Sequence, residues 1–191
     1  MGKLRRLLRD DTAATLVEST LVFPLVLVLT FGLLEFGNAL WRWNAAEKAT
    51  AIAARYIATR GPLLTGVPDC FVPTSATAGT SCSEVAGATS WSTSCGAGGG
   101  GDCEGDVVAA ALARAQAFAP FIEANNFRVD VRGSDLGFVG RGDPVPLITV
   151  RLQGLTFDFV VLDALAGVTS MPMPGFDATI VGEDQDEGEG S

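Results

Sequence analysis

At 191 residues the chain has room for one membrane segment and one modest domain. A formal charge of −9 and the absence of histidine argue against a nucleic-acid binder, and they remove the commonest metal ligand and the usual general base near neutral pH. Apolar residues make up 48% of the chain but crowd into its first third, so the remainder has a smaller core than that figure suggests.

Residues 1–13, MGKLRRLLRDDTA, place Lys3, Arg5, Arg6 and Arg9 ahead of an apolar run. A basic flank before such a run predicts a cytoplasmic leader, with the N-terminus in the cytoplasm and the C-terminal part exported. The run, AATLVESTLVFPLVLVLTFGLL from Ala13 to Leu34, holds one carboxylate, Glu18, near its start. Residues 16–34 are nineteen in number, close to the roughly 20 needed to cross hydrocarbon. Trp41 and Trp43 follow where the far interface would lie.

Three accounts of this run compete. A cleaved secretory signal needs a small-x-small site, and Glu35-Phe36-Gly37-Asn38-Ala39-Leu40-Trp41 offers no good one. A plain anchor fits the length and flanks, with Glu18 snorkelling toward the cytoplasmic edge. In the third, a cut between Ala13 and Ala14 creates an amine four residues before Glu18. That amine would neutralise the carboxylate, within the subunit or from a neighbour, and lower the cost of a charge in the membrane.

Pro24 removes one backbone donor and predicts a bend or local loosening. Past Gly37 the sequence ALWRWNAAEKATAIAARYIATR keeps helix formers and an Ala/Ile/Tyr stripe as far as the stop at Gly61-Pro62. The expected element is transmembrane and extended helix over 14–60, on the order of 65 Å long, half in the membrane and half outside. A helix so long needs packing partners: other helices, its own domain, or both.

Residues 61–106 form a Gly/Ser-rich loop containing Cys70, Cys82, Cys95 and Cys103. Two disulfides in an oxidising compartment are expected, with three pairings open. A zinc site would want a close CxxC pair, which the spacing lacks. Pairing Cys95 with Cys103 would close Gly98–Gly101 into a tight lobe, with Trp91 packed on it or exposed.

Residues 107–182 read as a helix plus antiparallel strands. Val107–Ala124 is helical until Pro120 kinks or ends it, and Phe127–Arg132 alternates as a half-buried strand. Further strands are expected over 147–152, 155–161 and 176–181, with a helical turn over 161–165 and a rigid Met-Pro-Met-Pro-Gly turn over 171–175. Residues 183–191 are an acidic tail with nothing to bury, expected to be disordered. The fold class is α+β: a long N-terminal membrane-spanning helix continuing outside the membrane, a second helix, a small antiparallel sheet and a disulfide-stapled loop.

No stretch carries catalysis. There is no GxSxG, phosphate loop or HExxH, and Asp102, Glu104 and Asp106 beside the glycine run read as solvated carboxylates rather than a calcium loop. The expectation is a structural and interaction protein, not an enzyme, with no cofactor and no metal.

The segment RRLLRDD…AATLVESTLVFPLVLVLTFGLLEFGNALWRWNAAEKATAIAARYIA resembles the N-terminal region of the TadE-like proteins, pseudopilins of the tight-adherence (Flp-type) pilus assembly and secretion system. The resemblance covers roughly residues 5–60. It implies a minor pilin-like protein of the cytoplasmic membrane that assists assembly of an adhesive pilus. The implied partners are prepilin peptidase, the lipid bilayer and, through the N-terminal helix, other pilin-like and pilus-assembly proteins. On this match Glu18 is the fifth residue of the mature chain, Ala14 its new N-terminus and Ala13 the residue before the cut. Phe23-Pro24 matches the family's apolar-proline step and Glu35-Phe36-Gly37 its acidic-aromatic-glycine stretch, which makes Glu18, Pro24 and Glu35 the implied assembly residues. Ala13 departs from the glycine that prepilin peptidases prefer. The alternative is a plain membrane-anchored exported binding module without processing.

Overall fold

The computed structural model describes residues 11–60, 63–64, 66–96, 103–142 and 145–182, the side chains of 11–14 and 166 excepted. Most of the basic leader, the Gly61-Pro62 stop, the Gly98–Gly101 lobe, Asp102 and the acidic tail lie outside the described residues. Two compact units are distinguished, Met1–Trp41 with Thr156–Met171, and Arg42–Leu155 with Pro172–Ser191.

The chain is α+β. Helix α1, Asp11–Ala58, runs 48 residues and passes through Pro24 without interruption. In the second unit its residues Ala46, Ala49, Ala53, Ile57 and Thr50 are buried, at spacings that define one helix face. Small side chains on that face allow close approach. The Thr50 hydroxyl donates to the Ala46 carbonyl at 2.7 Å, so its burial leaves no donor unmet. Trp43 meets Phe176 edge-on at 5.7 Å, the Arg42 guanidinium lies 5.3 Å from the Phe121 ring centre, and that of Arg114 lies 5.4 Å from Tyr56. The outer half of the helix is therefore packed within its own domain.

The stapled region is more ordered than its composition suggests. Disulfides join Cys70 to Cys82 and Cys95 to Cys103. Short 3-10 turns cover Asp69–Phe71, Cys82–Glu84 and Ala88–Ser90, and strand β1 spans Ser92–Gly96 within what the sequence presents as loop. Cys70 and Phe71 sit consecutively at φ 55° and 64°, a left-handed pair that a bulky side chain adopts only under strong tertiary constraint. The constraints are visible: Cys70 is bridged, and buried Phe71 stacks on Trp91 at 5.2 Å. Trp91 thus packs on Phe71.

Helix α2, Gly105–Phe118, buries Val108, Ala111 and Ala115 along one face. It ends before Pro120 because proline disfavours helical backbone at the residue preceding it, here Ala119 at φ −134°, ψ 79°. Strands β2 (Phe127–Arg132), β3 (Leu147–Leu152) and β6 (Phe176–Val181) join β1 in an antiparallel sheet of order β1-β2-β3-β6. Phe127, Val129 and Val131 are buried from β2, and Ile148, Val150 and Leu152 from β3. Asp130 links the strands on the other face, accepting from the Ser94 hydroxyl at 2.5 Å and lying 3.1 Å from Arg151 Nε. Gly133, just past β2, is required by space: a Cβ there would fall 1.9 Å from the Ala88 carbonyl oxygen.

Between β3 and β6 the chain makes a separate excursion of β4 (Thr156–Asp158), helix α3 (Val161–Ala166) and β5 (Ser170–Pro172). Among the described residues β4 and β5 pair only with each other. The expected 155–161 strand is thus three residues long and outside the main sheet, and the expected turn at 171–175 starts within β5.

Candidate functional site

The first unit carries the residues to which the sequence assigns function. From Thr15 to Leu34 every residue except half-buried Val28 and Gly32 is exposed, and Leu21, Phe23, Leu29, Leu33 and Leu34 are each 60–73% exposed. Water does not tolerate so continuous an apolar surface, whereas a bilayer requires it. The polar groups inside the run are satisfied by the helix itself: Thr20 donates to the Val17 carbonyl at 2.8 Å and Thr30 to that of Val26 at 2.7 Å.

Glu18 lies exposed on this helix, in a shallow groove with Thr15, Ser19, Val22, Phe23 and Val26. Its neighbours follow the three- and four-residue spacing of one helix face. Ala13 and Ala14 are in helical backbone in the first turn of α1. Pro24 comes next along the run, so Glu18 and Pro24 share the membrane segment, while Glu35 stands one residue beyond Leu34.

Glu35 has a partner that the sequence did not disclose. Its Oε1 accepts from the backbone N–H of Val160 at 2.5 Å and of Val161 at 2.7 Å, and its Oε2 from that of Leu162 at 3.2 Å. These are the unpaired donors at the start of α3, whose own N-cap residue, Val160, has no side chain able to cap them. Desolvation acts to raise the Glu35 carboxyl, but the bonds from Val161, Val160 and Leu162 outweigh it and hold the group below the usual carboxylate range. Nothing in residues 156–171 names Glu35 from sequence; the one clue is an acidic residue at the end of an apolar run, which must find donors or water.

Among the described residues no group of three or more His, Cys, Asp or Glu side chains is placed to hold a metal. The four cysteines are committed to the two disulfides.

A helix with an uncovered apolar run of membrane-crossing length, joined to a small disulfide-bonded α+β domain, fits a single-pass membrane-anchored protein. Residues 13–55 match the family model described as TadE-like protein, the family that the N-terminal segment resembles. The family is one of pilus-associated structural membrane proteins. The match covers α1 alone and ends before the stapled region. No curated protein and no solved structure matches the chain.

Proposed function

We propose that this protein is a minor pilin-like component that assists assembly of a tight-adherence pilus or related secretion system. It is held by α1 in the cytoplasmic membrane, with the basic leader in the cytoplasm and residues from about Trp41 onward exported. The observation that carries this reading is the coincidence of the family match over 13–55 with a helix left uncovered over 15–34. Prepilin peptidase cuts between Ala13 and Ala14, and the new amine neutralises Glu18. The groove around Glu18 is the surface offered to other pilin-like helices, and Pro24 lies further along the same membrane segment. Glu35 contributes through the segment it holds, since both its oxygens are engaged within the chain.

Mass spectrometry of the mature N-terminus in the membrane fraction tests the reading. An Ala14 terminus is expected; an intact Met1 terminus in a working pilus system would end the processing claim. Ala13 favours one rival, an unprocessed anchor for an exported binding domain. Glu18→Ala separates the two, because only the assembly component loses piliation.

A further inference from the structure

The excursion Thr156–Met171 is anomalous for a segment meeting water. Val160 is 77% exposed, Leu165 56%, Val168 45% and Met171 41%, and the helix between them is only six residues long. Its two charges, Asp158 and Asp163, are both acidic, and it has no lysine or arginine. β4 and β5 pair with each other and with no strand of the main sheet. Glu35 joins the excursion to α1 through the three backbone bonds at Val160, Val161 and Leu162.

That contact fixes where the excursion lies along α1. Glu35 is the first residue after the apolar run 16–34, so the start of α3 is within one side chain's reach of the level at which hydrocarbon ends. Apolar faces that lie in the interface sink about 5–10 Å into the headgroup boundary, a depth that a short helix one residue past the run can reach. Exposed Trp41, two turns further on, suits the same zone.

We infer that Thr156–Met171 is an interfacial membrane-docking element: Val160, Leu162, Leu165 and Val168 insert into the outer headgroup region of the bilayer, and Glu35 clamps them at that depth. The inference rests on α1 spanning the membrane as proposed above. The occupant is a neutral, zwitterionic lipid surface, because the exposed Asp158 and Asp163 would oppose an anionic one. The clamp also meets the need of Glu35, since a carboxylate at the hydrocarbon edge is costly without donors and here has three.

The test uses the full chain in phosphatidylcholine vesicles containing lipids spin-labelled either near the headgroup or deep in the acyl chain. An environment-sensitive dye is placed at Leu165→Cys or, separately, at Leu27→Cys, with both native disulfides oxidised. The expected result is quenching of the Leu27 site by the deep label and of the Leu165 site by the shallow label, with the latter quenching lost in Glu35→Ala. If the Leu27 site is quenched but the Leu165 site is not, whether it stays in water or is covered by a second copy, the docking inference is overturned and the anchor stands. If the Leu27 site is not quenched, the anchor fails and the inference with it. Unchanged shallow quenching in Glu35→Ala would remove Glu35 as the clamp.

Discussion

The two halves of α1 share one continuous helix and opposite packing. From Thr15 to Leu34 its side chains are mostly Leu, Val and Phe and lie exposed; from Ala45 to Ala58 half of them are Ala, and Ala46, Ala49 and Ala53 show no exposed surface. Large apolar groups are therefore left out while small ones are covered, the reverse of what water as the sole solvent would select. The difference teaches that the helix was matched to two surroundings. Bulky, branched side chains suit fluid lipid, and small ones let a protein surface approach the helical backbone.

The comparison can be broken from either side. The largest effect is expected from Leu27→Lys, since a charge in the middle of a membrane helix costs about 2.5–3.5 kcal/mol on insertion scales. Membrane retention after alkaline extraction should fall sharply while the melting temperature of the disulfide-bonded domain stays put. Retention equal to wild type would show that the bare half is not a lipid surface. Next comes loss of the staple by Cys70→Ala with Cys82→Ala. Closing a 15-residue loop contributes about 3 kcal/mol in the chain-entropy picture, and the separation here is 12. Calorimetry in detergent should show a lower melting temperature, with membrane retention unaffected.

Crowding the covered half should cost somewhat less. Ala49→Leu adds bulk at a site with no exposed surface, and overpacking typically costs about 1–3 kcal/mol. Gly133→Ala should reach the upper part of that ~1–3 kcal/mol range, because its Cβ meets a backbone carbonyl that cannot rotate away. Chemical denaturation reads both, and a neutral Ala49→Leu would mean that the outer half is not tightly packed.

The smallest effect is a pH dependence at Glu35. Its carboxyl is held below the ordinary range in the folded chain, so the clamp persists through that range and weakens only as pH falls below it, through the lowered folded-state value. Hydrogen exchange at the Val160, Val161 and Leu162 amides, corrected for intrinsic rates, should speed up in acid. Glu35→Gln should abolish that pH response, and a response that persists would assign the titration to another group.

Much of this architecture was legible because period and composition carry it. The apolar run, the alanine-rich continuation and the alternation of Phe127–Arg132 each state a local preference that the fold keeps. The stapled region was less legible, because strand β1, Ser-Thr-Ser-Cys-Gly, has almost no apolar content and is defined by pairing with β2 rather than by its own pattern. Gly133 and the left-handed pair at Cys70 and Phe71 are likewise consequences of distant chain passing close by. Glu18, Pro24 and Glu35 could be singled out from resemblance to a family motif, but the Glu35 partners lie more than 120 residues away, on backbone N–H groups that every sequence possesses.

The strand order β1-β2-β3-β6 has a consequence for the order in which the domain is completed. β3 receives its second neighbour only from Phe176–Val181, after the whole 156–171 excursion has been made. Both disulfides, by contrast, close within spans of 12 and 8 residues. If the chain folds as it is delivered from its N-terminus, the staples can form early while one side of β3 stays open. Arrival of Phe176–Val181 is then the step that completes the sheet, and a chain stalled before it would present an unpaired strand to its neighbours.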